Sequence, residues 1–280
     1  MKSTLIAVGE LAALPPDGVL IVDCRHELAD AQKGERDYLA DHIPGAVFAH
    51  LDRDLSDLDR VKLGFGRHPL PSEAAFSAVL SRWGWRPGLQ VVSYDANNGS
   101  LAAARLWWLL RLCGVREAAV LDGGYAAWKA AELPVSEAIP QRQPTRVSVH
   151  YDSSQVMLDH AAVATMQDDL LLDARAAPRY RGEVEPIDRA AGHVPGAVNR
   201  PFTDNLQADG RFQSPTELRL GFLAVIGDRA PEHVVHMCGS GVTACHNLLA
   251  MEYAGLTGSR LYAPSWSGWV SDPSRPIAKS

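Results

Sequence analysis

The chain has 280 residues, of which 46% are hydrophobic and 21% charged, and its net charge is −6. This composition is typical of a soluble globular protein of one large or two ordinary domains, and the acidic balance argues against a nucleic-acid partner. No apolar run reaches the ~18–20 residues of a membrane span, and the N-terminus shows no signal-peptide pattern. The four cysteines form no Cys-x-x-Cys pair. We therefore expect a cytoplasmic protein with free thiols, no metal, no cofactor and no membrane partner.

The chain contains an internal duplication. Four blocks occur twice in the same order: 19–30 with 170–180, 41–51 with 192–202, 91–112 with 234–255, and 120–135 with 260–277. Repetition in the same order along the chain indicates two related domains. We predict an N-terminal domain at 1–136, a polar, proline-containing linker at 137–146 and a C-terminal domain at 147–280.

Within the first copy, short apolar runs alternate with longer amphipathic segments. In chain order the pattern predicts a strand at 19–23, a charged loop at 52–72, a helix at 72–84, a strand at 90–95, a helix at 100–114 and a strand at 118–122. The second copy repeats this order with a shorter loop. The alternation predicts an α/β fold, twice over, with a mainly parallel sheet flanked by helices on both faces. In such sheets ligands lie beyond the carboxyl ends of the strands.

Cys238 lies at such an end, at the head of a loop of small residues. Gly239, Ser240 and Gly241 let backbone N–H groups turn inward, and a helix predicted to begin near Thr243 adds the positive end of its dipole. A loop of this kind favours an anion. We therefore expect an exposed, nucleophilic thiolate. The alternative is a cysteine that serves only to fill the core.

Phosphatases also place a cysteine in an anion-binding loop, but their loop follows a Cys-x5-Arg pattern whose arginine holds the phosphoryl oxygens. The corresponding residue here is Ala244, and neither Val242 nor Thr243 is cationic. Phosphoryl transfer is therefore disfavoured.

These features together resemble one family, the tandem-domain rhodanese-type sulfurtransferases, over nearly the whole chain. The resemblance rests on the duplicated blocks, the Asp-x-Arg strand ends at 23–25 and 173–175, the HIPGA and HVPGA segments, and CGSGVTA at 238–244. It implies two rhodanese-like domains, of which only the C-terminal one is catalytic. The residue that matches Cys238 in the first copy is Asp95, which cannot carry a persulfide.

The resemblance implies sulfur transfer by double displacement. Cys238 takes a sulfur atom from a small anionic donor and passes it from the persulfide to cyanide or a thiol, such as that of a thioredoxin-like protein. The loop stabilises the negative charge, as an oxyanion hole does. The loop residues implied to line the donor site are Gly239, Gly241, Val242 and Thr243.

The donor is either 3-mercaptopyruvate or thiosulfate. Members that use thiosulfate tend to carry basic residues just after the cysteine, whereas the neutral loop here resembles mercaptopyruvate enzymes. Arg179 matches the arginine that binds the donor carboxylate. The family's second arginine directly follows a Glu-Pro pair, but here Glu185-Pro186 is followed by Ile187, and Arg189 comes two positions late. We favour 3-mercaptopyruvate, and Arg189 is a further candidate for donor binding.

The resemblance also suggests residues that assist the chemistry. His68 in RHPLP and the acidic Asp52 match residues that face the cleft and activate the donor or the thiol, and Ser240 is a candidate for proton transfer. Asp173 and Arg175 project to the same side of a strand end, so we expect an ion pair that braces the catalytic loop.

Other notable residues have a structural interpretation. His42 and His193 precede Pro-Gly turns and are expected to form local hydrogen bonds, and Cys245 is expected to be buried and inert. The tryptophans predicted in the core are Trp107, Trp108 and Trp128.

The chain departs from the family at one further place. Ala263-Pro264 replaces an acidic or small residue followed by glycine, and Gly268 replaces a glutamate, which predicts an altered pocket wall.

Two classes of function stay open from the sequence. One is an enzyme that turns over small sulfur donors. The other is a persulfide carrier or a redox sensor for one protein partner, which would load Cys238 once and stall without that partner.

Overall fold

A computed structural model of the protein describes residues 1–280. Internal contacts divide the chain into two compact units. Unit 1 contains 1–56, 71–152 and 207–212, and unit 2 contains 57–70, 153–206 and 213–280. The loop segment 57–70 of the first repeat is therefore part of unit 2. The repeat boundaries at 136 and 147 stay a prediction, since contact units and folding domains are different divisions of a chain.

Unit 1 is an α/β layer structure built on one parallel sheet. Its strands are β1 (Leu5–Ile6), β2 (Val19–Asp23), β3 (Val47–Phe48), β4 (Gln90–Tyr94) and β5 (Ala118–Leu121), in the order β1-β5-β4-β2-β3. Its helices are α1 (Val8–Ala12), α2 (Lys33–Ala40), α3 (Leu51–Asp54), α4 (Glu73–Arg82), α5 (Ala103–Leu112) and α6 (Gly124–Ala130). The strands and helices predicted for the first copy are all present, with boundaries shifted by a few residues at most.

Unit 2 repeats this architecture. Its strands are β6 (Val156–Met157), β7 (Leu170–Asp173), β8 (Val198–Asn199), β9 (Val234–Met237) and β10 (Arg260–Tyr262), in the order β6-β10-β9-β7-β8, all parallel. Its helices are α7 (His160–Ala164), α8 (Ala177–Arg181), α9 (Pro215–Ile226), α10 (Ala244–Tyr253) and α11 (Ser265–Trp269). The identical strand order confirms the predicted pair of α/β repeats.

Short 3-10 helices occupy several connections: Pro16–Gly18, Leu58–Leu63, Ser153–Gln155, Phe202–Asn205 and Pro231–His233. No helix in the structure combines the length and the apolar character needed to cross a membrane.

The inner strands are buried along their whole length. Every residue of β2, β4, β7 and β9 is buried, as is expected of parallel strands with helices on both faces. Of these strands, β2 and β7 are apolar until a polar residue, Asp23 or Asp173, marks the carboxyl end. Cys238 directly follows β9, at the edge of the sheet where ligands bind in α/β folds.

The residues given structural interpretations behave as expected. His42 Nδ1 lies 2.7 Å from Tyr38 O, and His193 Nδ1 lies 2.9 Å from Tyr180 O. Each imidazole also stacks on that tyrosine's ring. The predicted core tryptophans, 107, 108 and 128, are all buried.

We predict that Leu172→Ala lowers the free energy of unfolding of the protein by about 2–5 kcal/mol, because this β7 side chain is 0% exposed and its removal leaves a cavity. Leu220→Ala is the matched control, since that leucine is 65% exposed and should change stability by less than about 0.5 kcal/mol. Urea unfolding followed by tryptophan fluorescence checks both variants, and equal effects would contradict the assigned core.

Candidate active site

Cys238 is held at the tip of β9 by the beginning of α11. Its N–H donates to Ser265 Oγ at 3.1 Å, and its carbonyl accepts the N–H of Trp266 at 3.0 Å. The carbonyl of Gly239 accepts the N–H of Ser267 at 2.8 Å. The backbone of the first two loop residues is thus fixed by two backbone bonds and by the buried Ser265 hydroxyl, which sets the position of the thiol.

Two residues adopt backbone conformations that this arrangement requires. Gly241 has φ of 78°, and a Cβ there would lie 2.3 Å from the carbonyl oxygen of Ala263, so only glycine fits. Ser265 has φ of 52°, which is uncommon for a residue other than glycine. The Ser265 hydroxyl accepts from Cys238 and donates to Tyr262 O at 3.0 Å.

The expectation of an exposed thiol is wrong. Cys238 is only 3% exposed. Trp266 and Ser267 lie against the loop through the hydrogen bonds above. The sequence shows the small side chains of the loop but not the distant segment that packs beside it.

The equivalent loop of unit 1 shows what such a loop binds. There Asp95 is 1% exposed, and its Oδ1 accepts the N–H of Gly99 at 2.8 Å while its Oδ2 accepts that of Leu101 at 3.1 Å. Burial raises the pKa of this carboxyl, and the backbone hydrogen bonds oppose that rise. A loop at this position therefore directs its N–H groups toward an anion, here the protein's own carboxylate.

His68 and Ser240 are in contact within unit 2. His68 Nδ1 lies 2.8 Å from Ser240 Oγ, and both side chains are buried. The segment that carries His68 is anchored near α11, because Arg67 donates its N–H to Ser267 Oγ at 2.9 Å. Gly66, with φ of 87°, approaches so closely that a Cβ would lie 2.4 Å from Pro264 O. The structure thus brings two of the predicted residues together.

Asp52 belongs to unit 1, where it lies in the first turn of α3, and its N–H donates to Nδ1 of the N-cap residue His50 at 3.1 Å. Every other residue predicted for the site belongs to unit 2.

Arg179 lies in α8 and is held by two acidic residues. Its Nη2 donates to Glu185 Oε1 at 2.7 Å and to Asp188 Oδ2 at 3.1 Å. Burial disfavours the charged form of Glu185, yet the hydrogen bonds from Arg179 and from the Asp188 N–H keep its pKa below the ordinary value. Arg189, the second predicted donor-binding arginine, is exposed and donates to Ser271 O at 3.2 Å.

The expected ion pair of Asp173 and Arg175 is present at the end of β7. Arg175 Nη2 donates to Asp173 Oδ2 at 2.7 Å, and both side chains are buried. The guanidinium also lies over the Trp266 ring, 4.6 Å from its centroid. Since Trp266 N–H bonds the carbonyl of Cys238, this pair is linked to the cysteine loop through one residue.

The two departures from the family pattern near α11 depend on each other. A Cβ on Gly268 would lie 2.5 Å from the Cβ of Pro264 and 2.9 Å from the carbonyl oxygen of Gly64. A glutamate at 268 would therefore clash with the proline. Together, Pro264 and Gly268 let the segment around Gly64 and Gly66 lie directly on α11.

Sequence reasoning missed three residues of the site: Arg67, Asp188 and Ser265. Arg67 directly precedes His68, so a site that contains His68 necessarily has Arg67 close by. Asp188 stands between the Glu-Pro pair and Arg189, but nothing in the sequence shows which of these side chains points inward. Cys245 is buried as expected, with its Sγ 3.4 Å from Gly241 O.

We predict that Gly241→Ala displaces the cysteine loop, because the new Cβ meets the Ala263 carbonyl and the left-handed backbone alone costs about 1–2 kcal/mol. Gly196→Ala is the matched control, with φ of 82° but nothing within 4 Å of its Cβ. Peptide mapping after iodoacetamide treatment should show an altered alkylation rate of Cys238 only in Gly241→Ala. The same rate in both variants would contradict the close approach.

Comparisons with known proteins agree with this geometry. A rhodanese-like domain model matches residues 7–131 and 158–272. A probable 3-mercaptopyruvate sulfurtransferase of Pseudomonas aeruginosa is 49% identical over 285 residues, covering 99% of this chain and 98% of that protein. A putative thiosulfate sulfurtransferase, SseB, of Mycobacterium tuberculosis is 39% identical over 98% of this chain and 96% of its own length.

Among solved structures, 3-mercaptopyruvate sulfurtransferase from Leishmania major is similar, with a TM-score of 0.84 and 31% identity over 97% of this chain and 76% of that chain. The two matched regions correspond to the two repeats, and the relatives that align over nearly the whole chain are named as sulfurtransferases. The chain belongs to the tandem-domain rhodanese family and is a sulfurtransferase.

Proposed function

We propose that this enzyme transfers sulfur from 3-mercaptopyruvate to a thiol or to cyanide through a persulfide on Cys238. The observation that carries the proposal is the position of Cys238, at the head of an anion-binding loop with the Arg179 guanidinium beside the next residue. A methyl group on Gly239 would lie 3.6 Å from Arg179 Nη1. An arginine at this place suits a donor whose carboxylate and sulfur are a few bonds apart.

In the first step the Cys238 thiolate attacks the sulfur of the donor. A new S–S bond forms while the C–S bond of 3-mercaptopyruvate breaks, and the carbon takes the electron pair as the enolate of pyruvate. A proton then converts the enolate into pyruvate. The N–H groups of residues 239–243 hold the negative charge of the thiolate and of the persulfide.

Ser240 and His68 transfer the protons of this step. Their hydrogen bond of 2.8 Å supports a relay in which the donor's thiol proton or the enolate proton passes through the Ser240 hydroxyl to and from the imidazole. We assign Asp52 a role in activating the donor or the thiol, on the resemblance alone. Asp173 and Arg175 act on the loop through Trp266 and do not touch the donor.

In the second step an acceptor attacks the outer sulfur of the persulfide. The S–S bond breaks, its electrons return to Cys238 as the thiolate, and the acceptor leaves as thiocyanate or as a persulfide. A thioredoxin-like dithiol is a suitable physiological acceptor, because it can attack and then release the sulfur. All four cysteines of this chain are free thiols, which fits a reducing compartment such as the cytoplasm.

The charge of the site favours 3-mercaptopyruvate over thiosulfate. The loop after Cys238 carries no basic residue, and Arg179 is already compensated by Glu185 and Asp188. A dianion would need more uncompensated positive charge than this arrangement offers, whereas a monoanionic keto acid needs one carboxylate site.

We predict that Cys238→Ala abolishes turnover and leaves the fold intact, because the replaced side chain is small. Mass spectrometry should detect one added sulfur atom on the Cys238 peptide of the wild type after treatment with 3-mercaptopyruvate. Cys245→Ala is the control and should retain sulfur loading on Cys238. Appreciable turnover by Cys238→Ala would rule out the persulfide on this residue.

We predict that Arg179→Ala raises the KM for 3-mercaptopyruvate roughly ten- to a hundredfold, since a charged hydrogen bond contributes about 1.5–3 kcal/mol. Steady-state transfer to cyanide, measured side by side with 3-mercaptopyruvate and thiosulfate, provides the test. Wild-type kcat/KM should be higher for 3-mercaptopyruvate. A higher value for thiosulfate would contradict the donor assignment. A single loading event without turnover by either donor would instead favour a persulfide carrier.

A further inference from the structure

We propose that Arg67 supplies the second cation of the donor-carboxylate site and that the Asp188 carboxylate pairs with both arginines of the site until the donor displaces it. This inference rests on the proposed function, and it assigns to Arg67 the role that the sequence suggested for Arg189. It also makes Asp188 a residue that determines how tightly an anionic donor binds.

The guanidinium groups of Arg67 and Arg179 converge beside the cysteine loop. A methyl group on Gly239 would lie 3.2 Å from Arg67 Nη2 and 3.6 Å from Arg179 Nη1. Gly239 directly follows Cys238, so both cations lie one residue from the reactive sulfur. A small keto acid that presents its sulfur to Cys238 can reach both with its carboxylate.

Asp188 already shows the binding mode that such a carboxylate would use. Its Oδ1 accepts from Arg67 Nη1, and its Oδ2 accepts from Arg179 Nη2 at 3.1 Å. The Asp188 side chain is only 5% exposed. One carboxylate bridging two guanidinium groups is a strong and directional arrangement. The carboxylate of the sulfur donor would compete with Asp188 for the N–H groups of these two arginines.

Arg67 is positioned for this role and retains unused hydrogen-bonding capacity. Its backbone N–H is fixed by Ser267 Oγ at 2.9 Å, which ties the residue to α11. Its Nε is buried and has no hydrogen-bond partner. A buried guanidinium N–H without an acceptor is unfavourable, and an additional oxygen at the site would relieve it.

Arg189 lies in a different environment. It is exposed, and its Nη1 donates to Ser271 O at 3.2 Å, near the end of α11. The position directly after the Glu-Pro pair, where the family has its second arginine, is occupied by Ile187, and Asp188 rather than a cation contacts Arg179. Arg67, which comes from the long loop of the first repeat, provides the missing positive charge.

The local charges explain why a bound donor would displace the Asp188 carboxylate from the two arginines. Three arginines of this cluster face three carboxylates; the arginines are Arg67, Arg175 and Arg179, and the carboxylates are Asp173, Glu185 and Asp188. A donor carboxylate would add an uncompensated negative charge. Asp173 and Glu185 each form an ion pair with Arg175. Asp188 instead pairs only with the two converging arginines, Arg67 and Arg179. Burial also raises the pKa of Asp188, which eases its neutralisation.

The first test compares two donors that differ only in the carboxylate: 3-mercaptopyruvate and the uncharged mercaptoacetone. Arg67→Ala should raise the KM for 3-mercaptopyruvate by about tenfold or more, change kcat by less than about threefold, and leave the KM for mercaptoacetone unchanged. Arg67→Lys should recover part of the loss. Arg181→Ala is the matched control, because it removes an exposed guanidinium paired with Glu183 and should leave both KM values unchanged.

The second test releases the arginine pair. Asp188→Asn keeps the shape of the side chain but weakens its hold on Arg67 and Arg179, so the KM for 3-mercaptopyruvate should fall and that for mercaptoacetone should not change. An unchanged or higher KM for 3-mercaptopyruvate would overturn the role of Asp188. A rise in KM confined to Arg189→Ala, with none in Arg67→Ala, would overturn the role of Arg67.

A binding measurement separates this inference from the proposed function. Calorimetry of pyruvate binding to Cys238→Ala and to the Cys238→Ala/Arg67→Ala double variant needs no turnover. At least about tenfold weaker binding by the double variant supports the carboxylate site, and equal affinity overturns it. If the wild type transfers sulfur while the two affinities are equal, the inference fails and the proposed function stands. If pyruvate binding depends on Arg67 but 3-mercaptopyruvate gives no persulfide, the proposed function fails alone.

Discussion

The hydrogen bonds between the beginning of α11 and the cysteine loop are the constraint on which the site depends. Cys238 gives its N–H to Ser265 Oγ, and the carbonyls of Cys238 and Gly239 accept the N–H groups of Trp266 and Ser267. The same segment holds the neighbouring chain, because Ser267 Oγ accepts the N–H of Arg67. One short helix start thereby holds both the cysteine loop and the backbone of the segment that carries Arg67 and His68. Preorganisation of this kind lets the loop stabilise charge without rearranging during the reaction.

The duplicated architecture shows how one loop geometry serves two purposes. In unit 1 the loop surrounds the carboxylate of Asp95, whose hydrogen bonds from Gly99 and Leu101 satisfy the backbone. In unit 2 the same strand-loop-helix connection surrounds a thiol, which in the proposed mechanism carries negative charge as the thiolate and as the persulfide. The Asp95 carboxylate satisfies its own loop, whereas the cysteine would leave the loop available to an anion that changes during turnover.

Charge compensation around Arg179 bears directly on donor choice. A cluster in which each arginine already has a carboxylate partner discriminates against a ligand that brings two charges. In our proposal it accepts one carboxylate by exchange with Asp188, so that selectivity would come from replacing one internal ion pair by another. The long loop of the first repeat contributes to this through Arg67 and His68, and both residues belong to unit 2 in the folded protein.

The close approaches in this region explain its unusual residues. Gly66 and Gly268 both lie against Pro264, and a side chain at either would collide with that residue. Where a glycine is required by a contact with a distant segment, the residues next to it in the sequence do not show that requirement. This is why Pro264 and Gly268 could be noted as departures from the family but not explained until the segments were seen together.

Local patterns in the sequence were enough to establish the duplication, the strands and helices, the parallel order, and the place of Cys238 at a carboxyl end. These features depend on periodicity and turn residues, which neighbouring positions encode. The burial of Cys238, the contact between His68 and Ser240, and the convergence of Arg67, Arg179 and Asp188 depended on tertiary structure. Each joins segments far apart in the chain, and the direction of a long charged side chain follows from the packing of those segments, not from its own sequence neighbours.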